Sequence, residues 1–270
     1  MSDYRQHFAL TGFPFDARLE AGELFKTTAQ GEAEIRLRHL LELRGIGLLT
    51  GEPGSGKTSL CRRVVEALHP GRYRCAYVTL TTGNVMDMYK SIGWELGLPT
   101  ERNRASAFRQ LRAEITRLVH ENHVQPLLII DEAHHLRTEV LEDLRLLTNY
   151  EMDSENRLSL LFIGLSDLRR RIAMAAHESL DQRIVMRCHL AGLAREELDG
   201  YLTHRLRAAG SELPLFEPAA IEAIFQATRA LPRKINRLAH YGLTAAAIGG
   251  ARSVSAEHVG AALEELGIVA

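Results

Sequence analysis

Three cysteines in 270 residues, Cys61, Cys75 and Cys188, are few, far apart and without C-x-x-C spacing, so neither a disulfide framework nor a zinc site is expected from them. They read as reduced thiols. No window approaches the ~18 consecutive apolar residues that cross a bilayer. The opening MSDYRQHFALTGFPFD also lacks the basic stretch and apolar run of a secretory leader. A cytoplasmic protein with no membrane partner is expected. An excess of one charge is lacking too: 33 Lys and Arg face 34 Asp and Glu, a formal net charge of −1. No global field therefore draws the chain to nucleic acid, although a local basic patch still could. Repeats, low-complexity tracts and long linkers are absent as well.

What is present is a globular composition, 46% apolar and 25% charged, on a chain long enough for one large domain and a small one. Residues 1–25 are irregular and aromatic: Phe8, Phe13, Phe15 and Phe25 surround Thr11-Gly12 and Pro14, turn chemistry with hydrophobic anchors. Residues 29–44 carry helical spacing, which Ile46–Leu49 breaks as a short buried strand. Helices are expected over 57–68, 84–96, 104–121, 137–149 and near 166–175. Strands are expected at Cys75–Leu80, from Pro126 to Asp131, at Leu158–Ile163 and near Val185–Leu190. The apolar run into Asp131 does not alternate, which suits a central parallel strand covered on both faces. From about residue 194 only helical stretches follow, near 194–209, 217–228, 232–248 and 255–266. The expected division is an N-terminal segment (1–25), an α/β core of parallel sheet flanked by helices (26–192) and a small all-α domain (193–270).

Gly51-Glu52-Pro53-Gly54-Ser55-Gly56-Lys57-Thr58 fits G-x-x-x-x-G-K-[ST] and lies between an expected strand and an expected helix. Its glycines let successive N–H groups converge on phosphate oxygens, and the helix start adds the favourable end of its dipole. Residues 52–59, ending in Ser59, are thus expected to bind ATP, with Lys57 on the β- and γ-phosphates and the Thr58 hydroxyl on Mg²⁺. Asp131-Glu132 closes the apolar strand at the sheet edge where open α/β folds bind ligands. Asp131 is expected to hold the magnesium through its waters and Glu132 to polarise the attacking water. An acidic pair capping the next helix is the alternative. His134 and His135 are expected on different helix faces, a poor arrangement for joint metal ligation.

These motifs, in this order, resemble the AAA+ ATPases grouped with ExeA and with the transposition regulators TnsC, TniB and, more distantly, MuB and IstB. The likeness runs from Phe8-Ala-Leu-Thr-Gly-Phe-Pro-Phe15 through residues 48–58, 127–136, 144–149, 162–166 and 180–184 to Leu231-Pro-Arg-Lys-Ile-Asn236. It implies a P-loop NTPase fold with a helical lid, hydrolysing ATP with Mg²⁺. By the same resemblance Arg183, in LDQRI, is an arginine finger reaching a neighbouring subunit's γ-phosphate. Such fingers are worth about 10³–10⁵ in rate; a surface arginine paired with Asp181 is the alternative.

Arg233 resembles a second-sensor arginine, or else is an exposed helix arginine, and Ala230 stands where relatives often carry glycine. Ser166 falls at the first-sensor position, with Asn149 a rival and helix capping open to both. The aromatic N-terminal segment packs beside the adenine by resemblance, or simply closes a domain edge. Lys90, Arg102, Arg104 and Arg109 fall in the region that lines the DNA channel of TnsC-like relatives; a solvated helix face is the alternative. The implied task is an ATP-controlled homo-oligomer, ring or helical filament, on double-stranded DNA that recruits or activates a transposase. A secretion-associated ATPase of the ExeA kind and a replication initiator or clamp-loader-like ATPase are the alternatives. That the chain ends soon after the last helical stretch favours the first.

Overall fold

A computed structural model describes residues 4–16, 20–79 and 84–267. Its elements follow the chain as α1 (Tyr4–His7), α2 (Thr28–Leu43), β1 (Ile46–Gly51), α3 (Lys57–Glu66), β2 (Tyr73–Val78), α4 (Val85–Leu96), α5 (Arg104–His120) and β3 (Gln125–Ile130). They continue as α6 (Thr138–Leu147), β4 (Ser159–Gly164), α7 (Ser166–Ile172), α8 (Glu178–Asp181), β5 (Ile184–Leu190), α9 (Glu197–Ala208), α10 (Pro218–Thr228), α11 (Pro232–Ile248) and α12 (Ala256–Glu265). Two units result: residues 31–51 with 57–190, and the chain up to residue 30 with 52–56 and everything from 191 on.

The first unit is built on a five-stranded sheet in the order β2-β3-β4-β1-β5, parallel throughout. β1 and β4 are buried along their whole length, which is why their sequences show no alternation. Leu128, Ile130, Leu160 and Phe162 pack with Ile92, Leu111 and Leu144 of α4, α5 and α6. Leu127, Ile129 and Leu161, at the alternate positions, face Leu37, Leu40, Cys61 and Val64 of α2 and α3. The edge strands do alternate, and β2 starts two residues before the expected Cys75. The expected end of that strand, Leu80, lies outside the described residues.

Helix ends follow local chemistry. Asn84 and Asn103 cap α4 and α5 by accepting from the backbone N–H of Asp87 and Ser106, both at 2.9 Å. α4 stops at Gly97, whose φ of 78° is left-handed.

The second unit is helical. Its core joins Leu198, Leu202, Ile224, Ile235 and Leu243 with Tyr4, Leu10 and Phe15 of the N-terminal segment. That segment is thus part of the helical core. Thr11 N–H donates to the Ala209 carbonyl at 2.9 Å. Arg205, only 4% exposed, donates from Nε to the Pro14 carbonyl at 2.6 Å and from Nη2 to that of Asp16. Burying a guanidinium without satisfied N–H groups would be costly, so these carbonyls fix the segment's path. Phe25 meets Tyr201 edge-on at 5.6 Å between ring centres.

Between α10 and α11 the chain reverses through Arg229 and Ala230, at φ 50° and 55°, which is the conformation that would favour the glycine of the relatives. Leu193 N–H donates to the Ala230 carbonyl at 2.8 Å. A Cβ at Gly192 would sit 2.6 Å from that oxygen, so glycine is required there.

Candidate functional site

β1 delivers the chain to Gly51, and α3 starts at Lys57. Gly54 and Gly56, at φ 80° and 97°, make the intervening turn. Only glycine adopts such angles without strain. Ser55 N–H donates to the Glu52 carbonyl at 3.1 Å, and the Gly54 carbonyl accepts from Arg233 N–H at 3.3 Å. Lys57, 8% exposed, donates from Nζ to the Gly51 carbonyl at 2.9 Å. A buried ammonium at the N-terminal end of a helix favours an anion.

The acid at the end of β3 is 4% exposed and fully engaged. Asp131 Oδ2 accepts from Thr58 Oγ at 3.0 Å and from Tyr77 OH at 2.6 Å, while Oδ1 accepts from Glu132 N–H at 2.8 Å. Asp131 N–H in turn donates to the Val78 carbonyl at 2.9 Å, fixing the carboxylate to the β2–β3 ladder. Burial, then the bond to Asp131, pushes the Tyr77 phenol far above its usual range, so it stays a donor. Burial, with Asp131 adding to it, does the same to the Cys61 thiol, which is therefore inert. Thr58 and Asp131 offer adjacent hard oxygens, a donor set that fits Mg²⁺.

Glu132 is left-handed at φ 54°, and its side chain makes no cap bond. Glu132 therefore does not cap the turn that follows it. Its carboxylate is 54% exposed and lies 3.6 Å from His134 Nε2, while the His134 side chain is 8% exposed. Burial, then neighbouring His135, holds the His134 imidazole below its usual pKa and hence neutral.

The two histidines were expected on separate helix faces; instead their ring centres stand 4.0 Å apart. The cause is local: Ala133–His135 is a single 3-10 turn entered from a left-handed residue, so α-helical spacing does not apply. Arg171 ties this turn down, donating from Nη1 to the His134 carbonyl at 2.9 Å and from Nη2 to that of Ala133 at 3.4 Å.

The structure thus gathers Lys57, Thr58, Asp131 and Glu132 around the ends of β1 and β3. Ser166 opens α7 one position inside the cap, which Leu165 occupies. Gly164, just before it, lies against the 133–135 turn, since a Cβ there would be 3.3 Å from His134 N. Asn149 follows α6, and its carbonyl accepts from Arg112. Arg183 donates to Asp153 Oδ2 at 2.7 Å. The expected alternative partner, Asp181, instead pairs with Arg187 at 2.8 Å. Arg233 is the exposed second residue of α11.

Of the basic candidates, Arg104 donates from Nε to Asp143 Oδ2 at 2.8 Å and from Nη2 to the other oxygen. Asp143 also accepts from Tyr89 at 2.9 Å, so this carboxylate bridges α4, α5 and α6. Arg102 and Arg109 are exposed and Lys90 half-buried. Tyr77 escaped the sequence reading. Its only trace there is a position alternating with Ala76 and Val78, and that it faces Asp131 follows from the β2–β3 pairing, which is non-local.

A parallel sheet of this order, with a glycine-rich turn after β1 and an acid after β3, defines a P-loop NTPase of the AAA+ type. Residues 39–172 match the family described as AAA domain, and this stretch is an AAA domain. Over 254 residues, 93% of the chain, the sequence is 32% identical to General secretion pathway protein A of Aeromonas hydrophila, 46% of which is covered. Over 140 residues, 52% of the chain, it is 30% identical to ATP-dependent target DNA activator B of Escherichia phage Mu, 40% of which is covered. The chain therefore spans less than half the length of these curated relatives. Cdc6p from Pyrobaculum aerophilum shares the fold, with a TM-score of 0.71 and 17% identity over 93% of this chain and 70% of that one. Among the described residues no helix is long and apolar enough to cross a membrane.

Proposed function

We propose that this chain binds ATP with magnesium and hydrolyses it to ADP and phosphate. The observation that carries the reading is the 3.0 Å bond between Thr58 Oγ and Asp131 Oδ2, which joins the end of the glycine-rich turn to the acid on β3. Residues 52–59 cradle the phosphates through their backbone N–H groups, Pro53 excepted, and Lys57 places its charge on the β- and γ-phosphates. Thr58 and Asp131 hold the ion, which when bound neutralises phosphate charge. Glu132, exposed and next to the buried acid, accepts a proton from the attacking water. Arg233 senses the nucleotide, with Ser166 or Asn149 supplying a polar group near the water. Arg183 serves the site of a neighbouring subunit after leaving Asp153. An exposed pair of that kind is worth about 0–1 kcal/mol, so its release is cheap.

The task proposed for this ATPase is regulation of DNA transposition: it oligomerises head-to-tail on double-stranded DNA and recruits or activates a transposase. The relative from phage Mu, whose own name describes an ATP-dependent target DNA activator, supports this. So do the exposed Arg102 and Arg109, which would contact phosphates without reading sequence. A second reading, a secretion-associated ATPase, is favoured by the longer match to General secretion pathway protein A.

One variant tests both levels. Glu132→Gln is expected to retain ATP and lose turnover, and so to freeze an ATP-dependent assembly on duplex DNA that salt weakens. Full hydrolysis by Glu132→Gln would remove the assignment of the base. Sizing that shows only monomers with DNA and ATP would remove the DNA assembly and favour the secretion reading.

A further inference from the structure

We propose that Glu132, His134 and His135 form a binding site for a borderline transition-metal ion of the Zn²⁺ class, and that filling it withdraws Glu132 from hydrolysis. The second half rests on the role given to Glu132 above; the site itself does not.

The three residues lie on one turn that the fold holds rigidly. His135 N–H donates to the Glu132 carbonyl at 3.0 Å, which closes the turn and brings its two ends together. His134 folds back onto them: its Nε2 stands 3.6 Å from Glu132 Oε2, and its ring lies against that of His135, with centres 4.0 Å apart and planes tilted by 39°. One ligand atom from each residue lies within 4.8 Å of the others. Tetrahedral ligands about 2.0–2.2 Å from zinc are separated by roughly 3.3–3.6 Å, so the Glu132–His134 pair already has the required spacing. His135 and Glu132 are the exposed members and can turn to close the third edge, whereas His134 is fixed by burial.

The donor set decides the ion. Two imidazoles and one carboxylate suit zinc, cobalt or nickel, while Mg²⁺ prefers oxygen and keeps its waters. Three protein ligands leave the fourth position to water. Burial of His134 also leaves its Nδ1 without a hydrogen-bond partner among the described residues. Ligating histidines ordinarily lean on such a partner, so the site is built for reversible rather than permanent occupation.

The test begins without nucleotide. Co²⁺ is titrated into the full chain in the presence of excess Mg²⁺ and followed by visible absorption. The expected result is one equivalent bound with the intense bands of a four-coordinate ion. His135→Ala, at an exposed position that does not endanger folding, is expected to weaken binding by roughly ten-fold or more, and His134→Asn with His135→Ala to abolish it. Unchanged Co²⁺ binding in both variants, or a spectrum like that of the hydrated ion, would overturn the site.

ATP turnover is then read at fixed Mg²⁺ with rising Zn²⁺. The expected result is inhibition of the unmodified chain at the concentrations that fill the site, and at least ten-fold more zinc needed for His135→Ala. Equal zinc sensitivity in the two proteins would overturn the inhibitory consequence. A chain that gives the cobalt spectrum but never hydrolyses ATP would instead indict the proposed function.

Discussion

A single methyl group at residue 54 probes the glycine-rich turn more sharply than removal of any side chain. In Gly54→Ala the new Cβ must occupy a backbone at φ 80° and would lie 2.5 Å from Arg233 Cβ. The left-handed conformation costs a non-glycine residue about 1–2 kcal/mol. The clash is with an atom attached directly to the backbone of α11 and cannot be relieved by rotating a flexible end. Overpacking of that kind typically costs about 1–3 kcal/mol.

Together these give roughly 2–5 kcal/mol, concentrated on the turn. If ATP binds only when the turn has its native shape, its affinity falls by about 30-fold to a few thousand-fold. Calorimetric titration with MgATP reads that loss, and circular dichroism checks that the chain is folded. Gly12→Ala is the control, because a Cβ there meets nothing within 4 Å. Affinity in Gly54→Ala within three-fold of the parent, in a folded protein, would refute the reasoning.

Tyr77→Phe removes the 2.6 Å phenol bond to Asp131 Oδ2. A bond to a charged group is worth about 1.5–3 kcal/mol, reduced here because Tyr77 is partly exposed. Half-saturation of turnover by Mg²⁺ is expected to rise about five-fold with kcat nearly kept, and an unchanged magnesium profile would refute this. Glu197 supplies a pH test. Burial acts to raise its pKa, but N–H donors from Thr28 at 2.7 Å and Ala194 at 2.9 Å outweigh it and hold the carboxyl below its usual range. A depressed folded pKa stabilises above the unfolded value, and that stability is lost as pH falls through the folded one. Glu197→Gln is accordingly expected to melt earlier than the parent at neutral pH and to converge with it in acid; a gap independent of pH would refute the account.

The sequence was most legible where structure is local or fully buried. The apolar runs at β1, β3 and β4 announced covered strands because each must satisfy two faces, and Pro232 fixed the start of α11. The glycine-rich turn and the acid pair were legible because their spacing is itself the chemistry. What escaped depends on pairing between distant residues. Tyr77 meets Asp131 only through strand register, and Arg183 meets Asp153 only because a left-handed turn over Glu151–Asp153 presents it. The adjoining histidine rings escaped for a different reason, since one left-handed residue at Glu132 replaced the helical geometry that sequence spacing assumes.

The helical unit is drawn from segments far apart in the sequence. His7 reaches the Ala251 carbonyl, Thr11 that of Ala209, and Arg205 that of Pro14. His7 and its Ala251 partner are 244 positions apart, so on the ribosome the earlier segment stays without its partners until the stretch between them has been made. Closing loops of that length makes this unit slow to assemble, and for that interval Tyr4, Leu10 and Phe15 are the surfaces a chaperone would find bare.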